Sequence, residues 1–478
     1  MGAFVFLIRI NSPISLPYFL SLVIHSLKFC IMKRISIVLY ALTNIAFAQN
    51  KQGLVSGPWA GNVELRNATI WVEATSDAKK VAVKYHAEKS TEEKTVEYKG
   101  ELGKEFNPVK IELNGLEMNT TYLYDVLIDG KKIEPGFATK FTTKDLWQWR
   151  KPAPDFTFLA GSCAYFNEPK YDRPGKPYGG DSSIFETMAN TPASFHVWLG
   201  DNWYTREVDY YTPWGLNYRA SHDRSLPVLQ KFMASMPQYA IWDDHDYGPN
   251  DMGKSYILKE ASRKVFMDYS CNPSYGYNGE GIYSLVSYGD VDIFLTDGRY
   301  WRSEGDFKDS IDGKPNSDKT YFGKQQMDWL KNSLLFSKAT FKIIATGSQV
   351  LNPYSDYDCM KFYKAEYKEL MDFLATYKIK GVLFFSGDRH HSEVIKQERT
   401  GLYPLYDVTN SPYTSGVGKV RGEELNNSAR MPGTLVEEQN FTKATVSGKK
   451  NERVLVIEFL GLKGQKLGSW SIKENELK

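Results

Sequence analysis

The sequence predicts an α/β protein in which a small all-β domain precedes a larger core. Between residues 57 and 143, short segments alternate apolar and polar residues and are separated by turn residues, as in half-buried strands. From residue 156 onward, apolar runs of strand length alternate with segments of helical periodicity, which indicates an α/β core. A chain of 478 residues is long enough for two or three domains.

The β domain is predicted over residues 53–145. Strand patterns recur along it, at residues 68–74, 80–86, 109–113, 116–126 and 136–142. Their spacing is typical of a small sandwich of the fibronectin type III kind. A linker rich in Trp, Pro and Lys follows at 147–154, and the second domain is predicted over residues 150–478.

Helices and strands alternate in the second domain. Helical spacing of apolar residues is found at 183–190, 226–235, 255–269, 323–335 and 367–377. Apolar runs of strand length occupy residues 290–295, 341–345 and 381–385. The C-terminal part differs, because Gly-rich turns join three strand patterns, which predicts antiparallel strands at 441–447, 453–459 and 469–473.

Residues 1–48 have the three parts of a secretory signal peptide. Met32-Lys33-Arg34 provides a basic start, residues 35–42 an apolar stretch, and Ala46-Phe47-Ala48 a cleavage site. We therefore expect translation to start at Met32 and the protein to be exported, to the periplasm, the cell surface or the medium. A membrane anchor is the alternative, since residues 4–29 are also apolar. Polar residues and prolines interrupt that stretch, so no stable anchor is expected.

Charge and cysteine content exclude some classes of function. The whole sequence has a net charge of +2. Removing the four basic residues of 1–48, which contain no acidic ones, leaves 55 basic against 57 acidic residues. Binding to nucleic acid is therefore not expected. Cys163, Cys271 and Cys359 remain, and an odd number leaves at least one thiol unpaired; Cys271 and Cys359 could pair.

Four polar clusters carry the chemistry, and three of them directly follow apolar runs at 156–160, 195–199 and 381–386. This placement puts them at the carboxyl ends of buried strands, where ligands and metals collect in α/β sheets. Carboxylates gathered there repel each other unless a cation joins them. The clusters are Gly161-Ser162-Cys163, Gly200-Asp201-Asn202-Trp203-Tyr204, Trp242-Asp243-Asp244-His245-Asp246 and Gly387-Asp388-Arg389-His390-His391.

The residue types predict two metal ions of different character. Asp201 and Tyr204 are close enough in sequence to share one ion, and a phenol ionises at neutral pH only beside a strong positive charge. A thiolate at Cys163 needs the same field. Together with the imidazole of His390, this set suits a trivalent or borderline transition metal. Asp244 and Asp388 suit a harder second ion such as calcium, manganese or zinc, with Asp201 as a bridge.

Three further residues are candidates for catalysis. His245 could protonate a leaving alkoxide or bind a phosphate oxygen. Arg299 and Arg302, which follow another predicted strand, could hold a phosphate bidentately. Structural interpretations stay open beside these: a merely buried Cys163, a core Tyr204, an Arg299–Asp297 ion pair, and a His391 that takes no part.

As a set, these clusters resemble the motifs of the PhoD-like alkaline phosphatase/phosphodiesterase family, within the calcineurin-like metallophosphoesterases. The resemblance covers the chain from about residue 57 to the C-terminus. It implies a four-layer αββα metallophosphoesterase sandwich, preceded by the fibronectin type III-like domain. It also implies iron bound by Cys163, Asp201, Tyr204 and His390, and calcium near Asp201, Asp244 and Asp388.

Two departures leave the metal identity open. Lys33-Arg34 is not a twin-arginine signal, and the family's middle His motif has no counterpart, with Gln349 in its place. Two or more metal ions are expected, Fe³⁺ and Ca²⁺ from the resemblance, with Zn, Mn or Mg as alternatives. Gln349 is expected to support the site without binding a metal.

We predict an exported hydrolase that cleaves phosphate monoesters, diesters or both by attack of a metal-bridged hydroxide. Its expected partner is a small phosphate ester, with a phospholipid or teichoic-acid-like diester included, and the protein is expected to be a monomer. Two alternatives stay open: a phospholipase D-like phosphodiesterase, and a non-catalytic surface-binding protein that uses the β domain.

Overall fold

A computed structural model of the chain describes residues 53–478. The predicted signal segment at 1–48, with its start at Met32, lies outside the described residues. Within 53–478, no helix combines the length and the apolar character needed to cross a membrane. Cys163, Cys271 and Cys359 are buried free thiols, so Cys271 and Cys359 do not form the disulfide that the sequence allowed.

The N-terminal region contains short antiparallel strands in two sheets. They are β1 (Leu54–Val63), β2 (Asn67–Ala74), β3 (Val81–Ala87), β4 (Lys94–Glu97), β5 (Asn107–Asn114), β6 (Thr121–Ile128), β7 (Lys131–Lys132) and β8 (Lys140–Thr142). One sheet has the order β1-β2-β5 and the other β4-β3-β6-β7, with β8 also paired to β6. The two sheets enclose an apolar core of their own. The fibronectin type III assignment stays a prediction.

Strand β1 is not predicted by the sequence pattern, and its residues explain why. It contains Gly57, Pro58 and Gly61, which disfavour strands, and its register with β2 shifts at three places. Bulges of this kind break the strict alternation on which strand prediction depends.

The second region contains the remaining strands and the helices. The strands are β9 (Phe156–Gly161), β10 (His196–Leu199), β11 (Gln238–Ile241), β12 (Ser284–Tyr288), β13 (Val291–Leu295), β14 (Ser310–Ile311), β15 (Lys314–Pro315), β16 (Phe341–Thr346), β17 (Val382–Ser386), β18 (Glu393–Arg399), β19 (Leu402–Thr409), β20 (Asn440–Ser447), β21 (Val454–Gly461) and β22 (Lys466–Lys473). The helices are α1 (Ile184–Ala189), α2 (Pro213–Arg224), α3 (Pro227–Ser235), α4 (Asp244–Tyr247), α5 (Lys259–Tyr269), α6 (Gly323–Phe336) and α7 (Lys364–Thr376).

Two mixed sheets of six strands form the centre of the described chain. One has the order β11-β10-β9-β20-β21-β22, in which β9 to β11 are parallel and β20 to β22 antiparallel. The other has the order β12-β13-β16-β17-β19-β18, with parallel strands inside and an antiparallel strand at each edge. The expectation of a mixed α/β core is confirmed, including the antiparallel C-terminal strands.

The side chains of the second sheet show how the layers stack. On β13, β16 and β17, alternate residues face different neighbours: Ile293, Ile343 and Leu383 belong to the core shared with the first sheet. Phe294, Ile344 and Phe384 belong to a core shared with α6 and α7. This is the two-residue period of a strand buried on both faces. Helices α1 and α3 pack on the first sheet, so helices cover both outer faces.

The sequence analysis misses α2 because its buried face is charged. Arg219, Asp223 and Arg224 are buried on this helix, where an amphipathic helix would present apolar residues. Arg219 binds Asp209 and Asp223 at 2.8 and 3.3 Å. A search for apolar periodicity therefore finds no signal here.

Strand β2 connects the N-terminal region to the second one. The rings of Trp59 and Trp71 stack 5.1 Å apart within the core of the second region, and Trp71 Nε1 donates to the carbonyl of Asp268 at 2.7 Å. Glu73 is buried beside them and accepts hydrogen bonds from Tyr269 and Ser221 at 2.7 and 2.8 Å. Apolar and polar contacts thus join the two regions.

Candidate metal centre

The four polar clusters meet at the carboxyl ends of β9, β10, β11 and β17. Glycines allow the close approach of these strand ends. A Cβ on Gly387 would lie 2.6 Å from the carbonyl oxygen of Leu199 and 2.7 Å from Ser162 Oγ, and one on Gly200 would lie 2.6 Å from Asp243 Cβ. Such distances leave no room for a side chain. The glycine that begins two of the clusters is therefore a packing requirement.

Several predicted ligands have a left-handed backbone. Cys163, Asp201, Asp388 and His390 have φ angles of 65°, 54°, 65° and 56°. For residues other than glycine this conformation costs on the order of 1–3 kcal/mol each, and it concentrates at functional sites. The turns after β9, β10 and β17 thus hold these side chains in orientations that an ordinary loop would not adopt.

The first donor group contains Cys163, Asp201 and His390, whose ligand atoms all lie within 4.8 Å of one another. Cys163 Sγ is 3.5 Å from Asp201 Oδ2. The hydroxyl of Tyr204 is 2.9 Å from the same carboxylate oxygen and 3.3 Å from His390 Nε2. The structure therefore brings together the four residues predicted to bind the first ion.

The second donor group contains Asp201, Asp244 and His245, again with ligand atoms within 4.8 Å. Asp244 Oδ2 accepts from the backbone N–H of Asp251 at 2.8 Å, whereas Asp244 Oδ1 is buried without a hydrogen-bond partner. An unpaired buried carboxylate oxygen is costly unless it faces a cation. Asp388 lines the same cleft but belongs to neither close group. His245, for which the sequence predicted proton donation or binding of a phosphate oxygen, lies within the second donor group.

Electrostatics indicate that most of the cluster lacks compensating positive charge. Asp244 is the exception, because the charges of His245 and Arg299 outweigh its burial and lower its pKa. Burial, followed by the charges of Asp244 and Asp243, raises the pKa of Asp201 well above its ordinary value. Burial and the charges of Asp243 and Asp358 raise the pKa of Asp388 likewise. Burial and the charge of Asp201 raise the pKa values of Cys163 and Tyr204. A bound cation would reverse each of these increases.

The donor set fits metal ions. Thiol, phenol, imidazole and carboxylate together suit a transition metal, and the unpaired oxygen of Asp244 suits a second ion. Asp201 is common to both groups, and a carboxylate can bridge two cations through its two oxygens. The metal-binding prediction thus corresponds to two overlapping groups.

Surrounding residues orient the ligands. Tyr178 is hydrogen-bonded to His390 Nδ1 at 3.0 Å, which leaves Nε2 to face the cluster. Ser411 Oγ lies 3.2 Å from Cys163 Sγ. Asp246 accepts the backbone N–H of Asn202 at 3.0 Å and so anchors the turn that follows Asp201. The ring of His245 stacks on Tyr204 with centroids 4.1 Å apart.

The two arginines predicted to hold a phosphate lie beside carboxylates. Arg299 is buried and donates to Asp243 at 2.6 Å and to Asp358 at 3.1 Å. Arg302 is also buried and is paired with Asp358. Among the described residues that line the metal cleft, neither arginine appears. Both guanidinium groups pair with buried or partly buried carboxylates, whereas Arg299 Nη1, Arg302 Nε and Arg302 Nη1 have no hydrogen-bond partner. Direct binding of a phosphate by these arginines therefore stays a prediction. From Arg299, Asp297 accepts the backbone N–H rather than the guanidinium, and its carboxylate also accepts from Trp242 Nε1 and from the backbone of Tyr300 and Ile282.

Gln349 and His391 belong to a polar network beneath the cleft. Gln349 donates to Glu393 at 2.9 Å and to Thr409 at 2.8 Å. His391 Nε2 lies 3.3 Å from the same Glu393 carboxylate. Gln349 therefore contacts no donor atom of the two groups, in keeping with its predicted supporting position.

Sequence analysis missed Tyr178 and Ser411. Tyr178 lies in a segment rich in Gly and Pro, and Ser411 follows β19, so neither is part of a polar cluster after an apolar run. Both contact ligands more than two hundred residues away in sequence. No local pattern carries that information.

Comparisons with known proteins indicate a family and support the fold. A family model described as PhoD-like phosphatase matches residues 158–444, and one described as a domain of unknown function, DUF7800, matches residues 51–146. Alkaline phosphatase D of Bacillus subtilis (strain 168) is 23% identical over 327 residues. The match covers 59% of this chain and 53% of the relative, so it spans about half of that protein's length.

Solved structures resemble the whole described fold. A structure of PhoD superposes with a TM-score of 0.70 at 18% identity and covers 89% of this chain and 91% of that one. Purple acid phosphatase PPD1 from yellow lupin (Lupinus luteus) seeds has a TM-score of 0.60 at 12% identity, with coverage of 87% and 74%. At these identities the likeness concerns the fold.

Proposed function

Because the chain belongs to the PhoD-like phosphatase family, we propose that it is a metal-dependent hydrolase of phosphate esters. In the reaction, water adds to phosphorus, the bond from phosphorus to the alcohol oxygen breaks, and that oxygen takes up a proton. The alcohol and the phosphate, or a phosphomonoester from a diester, are the products.

One observation carries this proposal: two donor groups share the carboxylate of Asp201. Two ions about one carboxylate are a common device for phosphoryl transfer. When bound, such ions would supply a nucleophilic hydroxide and offset the charge that develops on the phosphoryl oxygens. This chain would hold them with Cys163, Tyr204 and His390 on one side and Asp244 on the other.

The donor types support different ions at the two positions. A thiolate, a phenolate and an imidazole suit Fe³⁺, whereas carboxylates suit Ca²⁺, with Zn, Mn or Mg as alternatives. Asp388, which lines the cleft, would join the second ion or an ion beside it. His245, within reach of Asp201 and Asp244, would either bind the second ion or protonate the leaving oxygen.

Arg299 is assigned a supporting role. Its guanidinium binds Asp243 and lies 3.8 Å from Asp244 Oδ1. It would therefore position the Asp243–Asp244 turn and reduce the local excess of negative charge. Arg302 would hold Asp358 beside it.

Export, substrate range and assembly are parts of the same proposal. We expect a cleaved signal before residue 49, a small monoester or diester substrate, no nucleic-acid partner, no membrane anchor and a monomer. We also propose that the N-terminal strands form a fibronectin type III-like domain. The core would be a four-layer metallophosphoesterase sandwich.

The test uses protein purified without chelator. Elemental analysis and hydrolysis of an aryl phosphomonoester and diester are measured on the wild type and on Asp201→Asn. We expect the variant to lose both metal and turnover. A tyrosinate–iron absorption band that disappears in Tyr204→Phe would identify the first ion. An Asp201→Asn protein that keeps its metal content and its turnover would refute the proposal.

A further inference from the structure

A second cavity of different character adjoins the metal cleft. The metal cleft itself encloses about 620 Å³ and is lined by Asp201, Asp244, Asp388 and His390. The neighbouring cavity encloses about 310 Å³, and five tyrosines line it together with charged side chains that include Arg173, Lys176 and Glu207. We call it the aromatic lobe and define it by Tyr165, Tyr171, Tyr178, Tyr204 and Tyr210. Tyr178, His245 and Asn250 line both cavities, so the two adjoin each other.

The floor of the aromatic lobe is held rigidly. Arg206 is buried, and its guanidinium lies 4.1 Å from the centroid of the Tyr165 ring. The same arginine donates to the carbonyl of Phe166 at 2.7 Å and to Asp172 at 3.1 Å. Asp172 in turn accepts the Tyr165 hydroxyl at 2.7 Å. The ring of Tyr165 therefore has fixed neighbours, and Arg206 and Asp172 line the lobe beside it.

A continuous row of rings leads from this floor to the metal ligands. Tyr165 meets Tyr178 edge-on at 4.9 Å and Tyr204 edge-on at 5.1 Å, and Tyr204 stacks on His245 at 4.1 Å. Two further tyrosines of the lining are half-buried. Tyr171 is half-buried, with Lys170 Nζ 4.9 Å from its ring centroid, and the half-buried Tyr210 meets the exposed Tyr211 edge-on at 4.7 Å.

This geometry suits a leaving alcohol that carries a flat apolar substituent. The phosphoryl group must lie among the ligands in the metal cleft, and His245 is at the junction of the two cavities. An alcohol oxygen released beside His245 would therefore carry its substituent into the aromatic lobe. Tyrosine walls favour planar rings, which they contact over a large area at little cost in side-chain entropy.

Resting on the proposed function, we propose that the aromatic lobe binds a planar aromatic group on the leaving alcohol. The preferred substrates are then phosphate esters of aromatic alcohols. Tyr171 and Tyr210 are the specificity-determining residues, because they line the lobe and touch none of the predicted metal ligands in the described contacts. The hydrolysis is the one described above, and the proposal concerns only the substituent that the leaving oxygen carries.

The experiment compares two substrates, 1-naphthyl phosphate and glycerol 2-phosphate, on the metal-loaded full chain. The ratio of their kcat/KM values is measured for the wild type, Tyr171→Leu, Tyr210→Leu and Tyr171→Phe. Dividing the ratio of each variant by that of the wild type cancels the difference in intrinsic reactivity. We expect each leucine variant to lower the naphthyl preference on the order of three- to tenfold, the size of one aromatic contact. Tyr171→Phe should retain the preference.

Tyr211→Leu is the matched control. Tyr211 is adjacent to Tyr210 and 74% exposed, and it is not among the described residues that line the lobe. The control should leave the ratio unchanged. Equal losses on both substrates in the leucine variants, or no loss on either, would overturn the assignment of the lobe.

Binding of 1-naphthol, followed by its fluorescence, separates this inference from the proposed function. Naphthol should bind to the wild type and to Tyr171→Phe, and several-fold more weakly to Tyr171→Leu. If the wild type hydrolyses neither ester but binds naphthol in this pattern, the lobe is supported and the proposed function fails. If it hydrolyses both esters and binds naphthol equally in every variant, the lobe fails and the proposed function stands.

Discussion

The two ends of the central strands differ in how their buried charges are paired. At the carboxyl ends of β9, β10 and β17, carboxylates and a thiol gather, and one oxygen of Asp244 has no hydrogen-bond partner. Near the amino ends of β9 and β13, Arg453 meets Asp155 at 2.6 Å and Asp290 at 2.9 Å. Its remaining N–H groups donate to the carbonyls of Gly448 and Pro154.

The comparison separates charge that builds the fold from charge that awaits a ligand. All five donors of the Arg453 guanidinium are used, and the group connects strands of both sheets. The cluster around Asp201 repels itself and has a left-handed backbone at its ligands. Buried charge matched within the chain indicates structure, and buried charge left unmatched indicates a binding site.

The largest effect is expected for Asp201→Asn. This change removes the carboxylate common to both donor groups, so bound metal should be lost and turnover should fall by more than about 10²-fold, beyond the loss for a group that only supports a ligand. Metal analysis and aryl phosphate hydrolysis measure both. The free energy of unfolding of the metal-free protein should stay the same or rise, because a repelling charge is removed. A marked decrease in that free energy would contradict the distinction between charge that stabilises the fold and charge that binds a ligand.

Arg453→Met should have the reverse profile. It leaves Asp290 buried without its cation, so the free energy of unfolding should fall by about 3 kcal/mol, while metal content stays unchanged. Chemical denaturation provides the measurement. Asp155→Asn is the control: the Asp155 side chain is 63% exposed, and its loss should cost less than about 1 kcal/mol. Loss of metal in Arg453→Met would contradict the separation.

Tyr178→Phe tests how far the metal end extends beyond its ligands. The change removes the hydroxyl that is hydrogen-bonded to His390 Nδ1 and should weaken metal binding about 10- to 100-fold. Competition with a chelator of known affinity measures this effect. Tyr211→Phe, at an exposed tyrosine, is the control. Unchanged metal affinity in Tyr178→Phe would mean that only the direct ligands determine metal binding.

Glu73 sharpens the comparison, because it is a buried carboxylate with neither a paired cation nor a cluster of donors. Burial raises its pKa from 4.5 to about 6, against the hydrogen bonds from Tyr269 and Ser221. The folded state therefore holds the proton more tightly than the unfolded state. The contribution of Glu73 to the free energy of unfolding is therefore full below about pH 4.5 and is lost as pH rises through 6, by about 2 kcal/mol in all.

Denaturation of wild type and Glu73→Gln between pH 4 and 8 measures this loss. The free energy of unfolding of the wild type, minus that of the variant, should fall between pH 4.5 and 6, whereas metal content should not differ. A rise in that difference across the same window would contradict the assigned direction.

The local sequence pattern predicted most strands and helices of the core, and it predicted which segments contribute residues to the metal centre. The apolar runs before Cys163, Asp201 and Asp388 correspond to β9, β10 and β17, and parallel strands bring their ends together wherever the intervening chain goes. Helix α2 and strand β1 were missed because charged residues and bulges replace the expected periodicity.

The rest of the site depends on distances that no local pattern encodes. Arg299 follows a strand as a phosphate ligand would, but its partners Asp243 and Asp358 are 56 and 59 residues away in sequence. Tyr178 reaches His390 across 212 residues. Such pairings follow from the packing of the two sheets, which the sequence specifies only through the whole fold.

The donors to the first ion come from different sheets. Cys163 and Asp201 follow strands of one sheet, and His390 follows β17 of the other. An ion held by all three closes a loop of more than two hundred residues, as a disulfide would, and restricts the unfolded chain in the same way. Supply of the metal would then govern the lifetime of the folded protein as well as its turnover, so that scarcity would lead to degradation as well as to inactivity.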